Sequence, residues 1–261
     1  PDETEQLAIV YGELPSMATV AAQFNAAAEK EGVPVVDEIS YPIIGADDWG
    51  PYADLVIDSG ATSVYWIGEP SNAANLSQKL NEKGWEGVIL HQTNAYDAVL
   101  FSFGNEGVEG SVLRTAFHPF EEADQWPAIQ QYLDMLGEIP DAKTAALGLQ
   151  AMSAWLLFSV AADSCATKND GVIDRTCVLE ESAAVEDWTA GGLHVPTDPG
   201  GDPPQCGMLL IAKDGEFERL WPEIDSDADG GDGFSCPEDS IAEVDTSDLG
   251  EGAVDPDRPE L

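Results

Sequence analysis

Basic residues are scarce in this chain: 10 Lys and Arg stand against 50 Asp and Glu, a formal charge of −40. Nucleic acid and anionic membrane surfaces are thereby excluded as partners, because both are gripped by clustered Lys and Arg. Phosphate loops are missing too. Neither GxGxxG nor GxxxxGKS/T occurs. The first strand–turn–helix carries Gly12-Glu13-Leu14-Pro15-Ser16, with an acid and a proline where a dinucleotide fold needs glycines for backbone approach to pyrophosphate. No nucleotide or other cofactor is expected. Histidine is down to His91, His118 and His194, scattered along the chain, and no GxSxG nucleophile elbow exists. The acid pairs Glu121-Glu122 and Glu180-Glu181 are what chance gives at this acid content, so no catalysis is expected. The cysteines, Cys165, Cys177, Cys206 and Cys236, form no CxxC, and no His lies at zinc-ligand spacing from them; no metal site is expected.

What is present is ordinary globular material. Hydrophobic residues make up 43% of 261 residues and seven are Trp, enough to offset chain entropy in one large or two smaller domains. The acid excess repels itself across the surface. Molar NaCl shortens the screening length from the roughly 10 Å of a 0.1 M solution, so the thermal midpoint is expected to rise from low to molar salt. A flat or falling midpoint in a thermal melt would mean the carboxylates are too widely spaced to matter.

The apolar pattern alternates at two periods. Leu7 to Tyr11 reads as a buried strand, and Met17 to Glu31 as a helix with Ser16 as its cap and Gly32 as its stop. Strands are predicted at 33–41, 62–67, 88–91 and 112–117, with helices at 52–58, 72–82 and 96–103 between them. This alternation means parallel βαβ units in a sheet covered on both faces. After His118-Pro119-Phe120 the rhythm changes to helices, at 122–136, 143–162 and 174–184. A hairpin follows at 208–212 and 216–220, turning at Lys213-Asp214-Gly215. Thr144 to Ala162 is the longest uncharged run. It reaches membrane-spanning length, but its Ala content, its polar interruptions at Gln150, Ser153 and Ser159, and its lack of basic flanks predict a buried core helix. Beyond Pro222 the acidic, Gly- and Ser-rich composition predicts a solvated tail. There Asp225-Ser226-Asp227-Ala228-Asp229-Gly230 matches the start of a calcium loop, whose twelfth position is Cys236 instead of the required Glu.

In open parallel sheets, ligands bind at the carboxyl ends of the strands. The loops there are Gly12–Ser16, Gly68–Ser71 and Gln92–Tyr96. They offer carboxylate, hydroxyl, amide and phenol groups suited to a small polar solute, although Ser71 and Asn94 also sit where helix caps belong. The four cysteines allow three disulfide connectivities. Short closure favours Cys165–Cys177 with Cys206–Cys236, and four reduced, buried thiols are the alternative.

The order of segments resembles the type I periplasmic binding proteins, the leucine/isoleucine/valine-binding class of ABC-importer receptors. The likeness rests on residues 7–42 (LAIVYGELPSMATVAAQFNAAAEKEGVPVVDEISYP), SVYWIGEPSNAANLSQKLNEKGW, LRTAFHPFEEA, LGLQAMSAWLLFSVAADSC, WTAGGLHVPTDP and CGMLLIAKDGEFERLWP, covering roughly 7–222. The resemblance implies an α/β fold: a Rossmann-like parallel-sheet lobe of a bilobed receptor, with helices belonging to the other lobe. It divides the chain into a second lobe (1–120), a helical part of the first lobe (121–185), a closing segment with the hairpin (186–222) and an acidic tail (223–261). It implies an extracytoplasmic, lipid-anchored, monomeric protein that delivers an amino acid or similar small polar solute to an ABC permease, or a ligand-sensing receptor of the same fold. It favours the disulfide pairing above. Carried over by position, ligand contacts fall on Pro15, Ser16, Glu69, Pro70, Asn94 and Tyr96. Relatives begin with about a hundred further residues that form most of a first lobe. The opening Pro1-Asp2-Glu3-Thr4-Glu5 therefore reads as the start of a processed or excerpted chain.

Overall fold

The computed structural model describes residues 5–201, 205–237 and 244. Apolar, β-branched runs become strands β1 (Leu7–Gly12), β2 (Val35–Tyr41), β3 (Ser63–Ile67), β4 (Val88–His91) and β5 (Val112–Thr115), all parallel. Two antiparallel strands, β6 (Met208–Lys213) and β7 (Glu216–Trp221), extend the sheet from β5. The order is β2-β1-β3-β4-β5-β6-β7. The α/β sheet expected from the sequence is therefore present, as a mixed seven-stranded sheet.

Because the chain steps from β1 one way to β2 and then the other way to β3 and β4, right-handed crossovers put the helices on opposite faces. Helix α1 (Pro15–Lys30) packs on the face of Leu7, Ile9, Ile67 and Tyr65. Helices α2 (Gly50–Asp58) and α3 (Pro70–Glu82) cover the face of Val10, Tyr41, Val64 and Trp66, which holds the main core. Beyond α1, among the described residues, the first face stays open over β4, β5 and β6, where cavities lie against Leu90, Val112 and Leu209. Helices α4 (Pro127–Gly137), α5 (Ala146–Lys168) and α6 (Arg175–Ala183) form a second body. Its own core is Phe117, Ile129, Tyr132, Leu149, Ala190 and Leu193. Segment 117–118 and segment 193–195 run antiparallel between the bodies, joined at Phe117 and His194. His194 gives its Nδ1–H to the Val195 carbonyl (2.7 Å), so its Nε2 accepts from the Ser153 hydroxyl (2.8 Å), to which the Trp188 indole also donates (3.0 Å). This lock fixes α5 against the strand connection.

Several expectations are corrected. Helix α1 starts at Pro15, with Leu14 at the cap and no capping side chain, so Ser16 lies inside the first turn. Proline at the first helical position supplies the start because its fixed φ suits a helix and its missing N–H is not needed there. For the same reason α3 starts at Pro70 with Glu69 at the cap, so Ser71 does not cap it. The helix predicted over 122–136 is broken: a 3-10 turn covers Phe120–Glu122, and α4 waits for Pro127. The short helix at 96–103 is replaced by two 3-10 turns, Thr93–Ala95 and Ala98–Phe101. Helix α5 is buried on one face only. Leu147, Trp155, Phe158 and Val160 are exposed, Trp155 by 68%. By length and composition α5 is also apolar enough to cross a membrane.

The tail does not begin as solvated chain. Phe234 is 1% exposed, Ser235 is buried, and Ser235 pairs with Gly207 on both backbone bonds. The Asp229 carboxylate accepts amides from Asp225, Gly231 and Gly233, so that stretch of the calcium-loop match is a self-bonded turn. Residues 238–243 and 245–261 lie outside the described part. Both disulfides form as paired above, Cys165–Cys177 tying α5 to α6 and Cys206–Cys236 tying the segment before β6 to the Phe234 turn.

Candidate functional site

The strand order reverses at β1, so the loops leaving β1 and β3 run to opposite faces at the carboxyl ends of the strands, the place where open sheets of this kind hold ligands. The register places the end of β1 beside the end of β3, with Tyr11 opposite Ile67, and Trp66 beside His91 of β4. Beneath the loops lies an aromatic floor. Tyr41 and Trp66 stack with centroids 4.9 Å apart, and Trp49 sits 5.1 Å and 5.9 Å from them. The floor explains Gly68. A Cβ on Gly68 would lie 1.8 Å from the Tyr41 hydroxyl, and one on Gly12 would lie 2.8 Å from Ile43 Cδ1 and 2.9 Å from Met17 Sδ. The Gly68 clash is with the buried Tyr41 ring and demands glycine, whereas at Gly12 the close atoms are the ends of two flexible side chains. Burial pushes the Tyr41 phenol up to about 12, so the floor carries no charge near neutral pH.

The loops are tied to one another. The Asn94 amide Nδ2 donates to the Gly68 carbonyl at 2.8 Å, joining the β4 loop to the β3 loop. Its Oδ1 has no partner among the described residues and is available as an acceptor. The Glu69 side chain is exposed, as are Pro15 and Ser16, whereas Pro70 is buried. Glu69 makes no ion pair among the described residues, so its carboxylate is open to a donor. Leu14 and Ile44 add exposed apolar surface on the loops after β1 and β2.

Tyr96 differs from the others. It is 2% exposed; its hydroxyl accepts the Phe120 N–H (2.6 Å) and donates to the Glu121 carboxylate. The six residues carried over by position thus divide: Pro15 and Ser16 are exposed in the first turn of α1, Glu69 and Asn94 are accessible on the loops after β3 and β4, and Pro70 and Tyr96 are buried. The residues missed were Tyr41, Trp66 and the two glycines. The signal was there: an aromatic two residues before the glycine that follows the strand in YWIG, and the aromatic at the end of EISY. Among the described residues no group of three or more His, Cys, Asp or Glu stands together as a metal site.

An open apolar cavity lies elsewhere. A volume of about 650 Å³ opens on the face that α1 leaves uncovered, against Leu7, Phe24, Tyr65, Val88 and Leu90. It continues toward a second of about 420 Å³ at Val112, Arg114 and Leu209. Its walls are the apolar side of a sheet lacking a covering layer, not the carboxyl-end loops.

Comparison with known proteins places these features among relatives. The profile of the family described as periplasmic binding protein matches residues 3–216. No curated protein matches the chain. Among solved structures, a leucine-binding protein from Thermotoga maritima superposes with TM-score 0.67 at 20% identity, over 82% of this chain and 59% of that one. A branched-chain amino acid ABC transporter protein from Thermus thermophilus with bound valine gives 0.71 at 16%, over 84% and 60%. A fatty acid ABC transporter substrate-binding protein from Thermomonospora curvata gives 0.71 at 18%, over 85% and 58%. At these identities the likeness is one of fold. The chain spans 58–60% of the length of these three structures.

Proposed function

Because this chain belongs to the periplasmic binding protein family and has its type I fold, we propose that it is the larger part of an extracytoplasmic solute receptor serving an ABC importer. The observation that carries this reading is the reversal of strand order, where Ser16, Glu69 and Asn94 follow the carboxyl ends of β1, β3 and β4 and the Asn94 amide ties the β4 loop to the β3 loop. These groups reach a ligand from one side. A carboxylate, an amide oxygen and a hydroxyl suit a small solute with donors, such as an amino acid or amide. Leu14 and Ile44 add contact for an aliphatic portion.

Two uncovered apolar surfaces support a missing counterpart. One is the exposed face of α5 with Trp155 and Phe158; the other is the open sheet face at Tyr65 and Leu90. A helix apolar all round is normally covered on both sides, and parallel sheets are covered on both faces. In this reading a first lobe packs on α5 and closes over the loops after β1, β3 and β4. The two disulfides suit an oxidising, extracytoplasmic compartment. Lipid anchoring and a permease partner follow from the same reading.

Calorimetry on the complete receptor, with a panel of amino acids, amides, polyamines and short aliphatic acids, tests it. Glu69→Ala and Asn94→Ala are expected each to cost at least about 1 kcal/mol of binding, with little change in stability. The 261-residue chain alone is expected to bind the same solute far more weakly, because groups left unpaired on the open side lose hydration without compensation. Full affinity in both variants would move the site elsewhere, and equal affinity in the shorter chain would refute the two-lobed mechanism.

A further inference from the structure

We propose that Tyr96 is a positioning residue that transmits the placement of the ligand-facing β4 loop to the junction between the sheet and the helical body. The proposal rests on the reading above, in which that loop faces the solute. Four connections meet at this one residue. Its N–H donates to the Thr93 carbonyl, closing the turn that carries Asn94 (3.0 Å). Its carbonyl accepts the N–H of Ala146, the first residue of α5 (2.8 Å). Its phenol oxygen accepts the Phe120 N–H on the crossover out of the sheet (2.6 Å), and its O–H goes to Glu121. The other Glu121 oxygen accepts the Phe217 N–H of β7 (3.3 Å). The ring itself is wedged between Phe120 and Phe217, with centroids 4.9 Å and 5.0 Å away.

A phenol used both as donor and as acceptor against two fixed groups has no rotational freedom left. Movement of the Asn94 turn is therefore passed to the crossover and to the first turn of α5, and not absorbed in the loop. Burial and the neighbouring Glu121 push the phenol far up, so it stays a donor throughout the working pH range. A pocket of about 180 Å³ beside Tyr96, Phe101 and Glu121 leaves room for the loop to shift.

Hydrogen exchange on the 261-residue chain tests this without any ligand, so its failure is separate from failure of the binding reading. Tyr96→Phe keeps the ring and removes both phenol bonds. It is expected to speed exchange at the amides of Phe120 and Ala146 by about tenfold, leaving β1 and β3 amides unchanged. Glu121→Ala is expected to reproduce the effect, and Glu121→Gln, which keeps an acceptor oxygen, to restore wild-type exchange. Faster exchange at Phe120 alone would overturn the coupling. A uniform rise across the sheet would overturn it as well, making Tyr96 an ordinary stabilising residue.

Discussion

Replacing Arg219 by alanine is expected to cost about 3–5 kcal/mol of stability, the usual loss when one member of a buried ion pair is removed. The Arg219 and Glu122 side chains are 9% and 14% exposed. The guanidinium meets the carboxylate in two bonds, Nε to Oε1 at 2.8 Å and a terminal nitrogen to Oε2 at 2.6 Å, and gives a third to the Gly233 carbonyl (2.5 Å). The Trp126 indole also donates to Glu122, at 3.0 Å. Burial alone would raise the Glu122 carboxyl, but the Arg219 and Trp126 bonds outweigh it and hold the group below the usual carboxylate range. One arginine thus ties β7, the crossover and the Phe234 turn together. Arg219→Lys loses the two-pronged geometry and is expected to recover only part of the loss. The pair Arg219→Met with Glu122→Leu removes both charges and is expected to recover most of it. Urea denaturation measures all three. A cost below about 1 kcal/mol for Arg219→Ala would mean that water replaces the pair.

Acidification from pH 7 to pH 5 is expected to destabilise the fold through its buried histidines. Burial lowers His91 from the ordinary 6.5 to about 4, and burial with the nearby Arg219 charge lowers His118 to about 3. His194 is lowered in the same direction by burial. With folded-state values below the unfolded one, the unfolded chain takes up protons first. The stability contributed is complete above about pH 6.5 and is lost as pH falls toward 4. At about 1.4 kcal/mol per pKa unit, His91 and His118 each account for on the order of 2 kcal/mol by pH 5. Neither His91 nitrogen has a hydrogen-bond partner among the described residues. His91→Leu is therefore expected to be at least as stable at pH 7 and to flatten its share of the slope. An unchanged urea midpoint between pH 7 and pH 5 would show that these rings reach solvent in the folded state.

The sheet was legible because its strands are short runs rich in apolar residues, two of which, β1 and β3, are closed by a glycine, and no helix period competes within them. The end of α1 was equally plain at Gly32, whose φ of +73° few other residues adopt. Helix starts were less legible. At Pro15, Pro70 and Pro127 the first helical position is set by proline, and a reading that sought Ser or Asn caps set two starts two residues late and ran one helix through Pro127. The segment 96–103 was apolar enough to read as a helix. Thr93–Phe101 is held in two tight turns by long-range bonds to Thr144, Ala146 and Gly68, which no local pattern encodes. The start of the tail, up to Pro237, was legible in part: the Cys206–Cys236 tie was expected, but the polar composition hid the burial of Phe234 and Ser235. One phenylalanine, Phe234, and one disulfide pin it to β6 and β7, and composition does not weigh single anchors.

Within the site, the loop positions were legible from topology alone. The accessible Glu69 and Asn94 fall where strand ends predict, because the parallel order fixes which loops converge. The direction of Tyr96 was not legible. Whether a phenol after a turn faces solvent or core depends on Phe120, Glu121 and Phe217, which arrive from 24 or more residues away.

The most direct measurement is a hydrogen-exchange footprint of the complete receptor, with and without the solute that the calorimetric panel identifies. The account predicts slowed exchange in peptides covering Gly12–Ser16, Gly68–Ser71 and Gln92–Tyr96, with the open sheet face at Val88, Leu90 and Val112 unchanged. Protection confined to that sheet face, with none at the three loops, would contradict it.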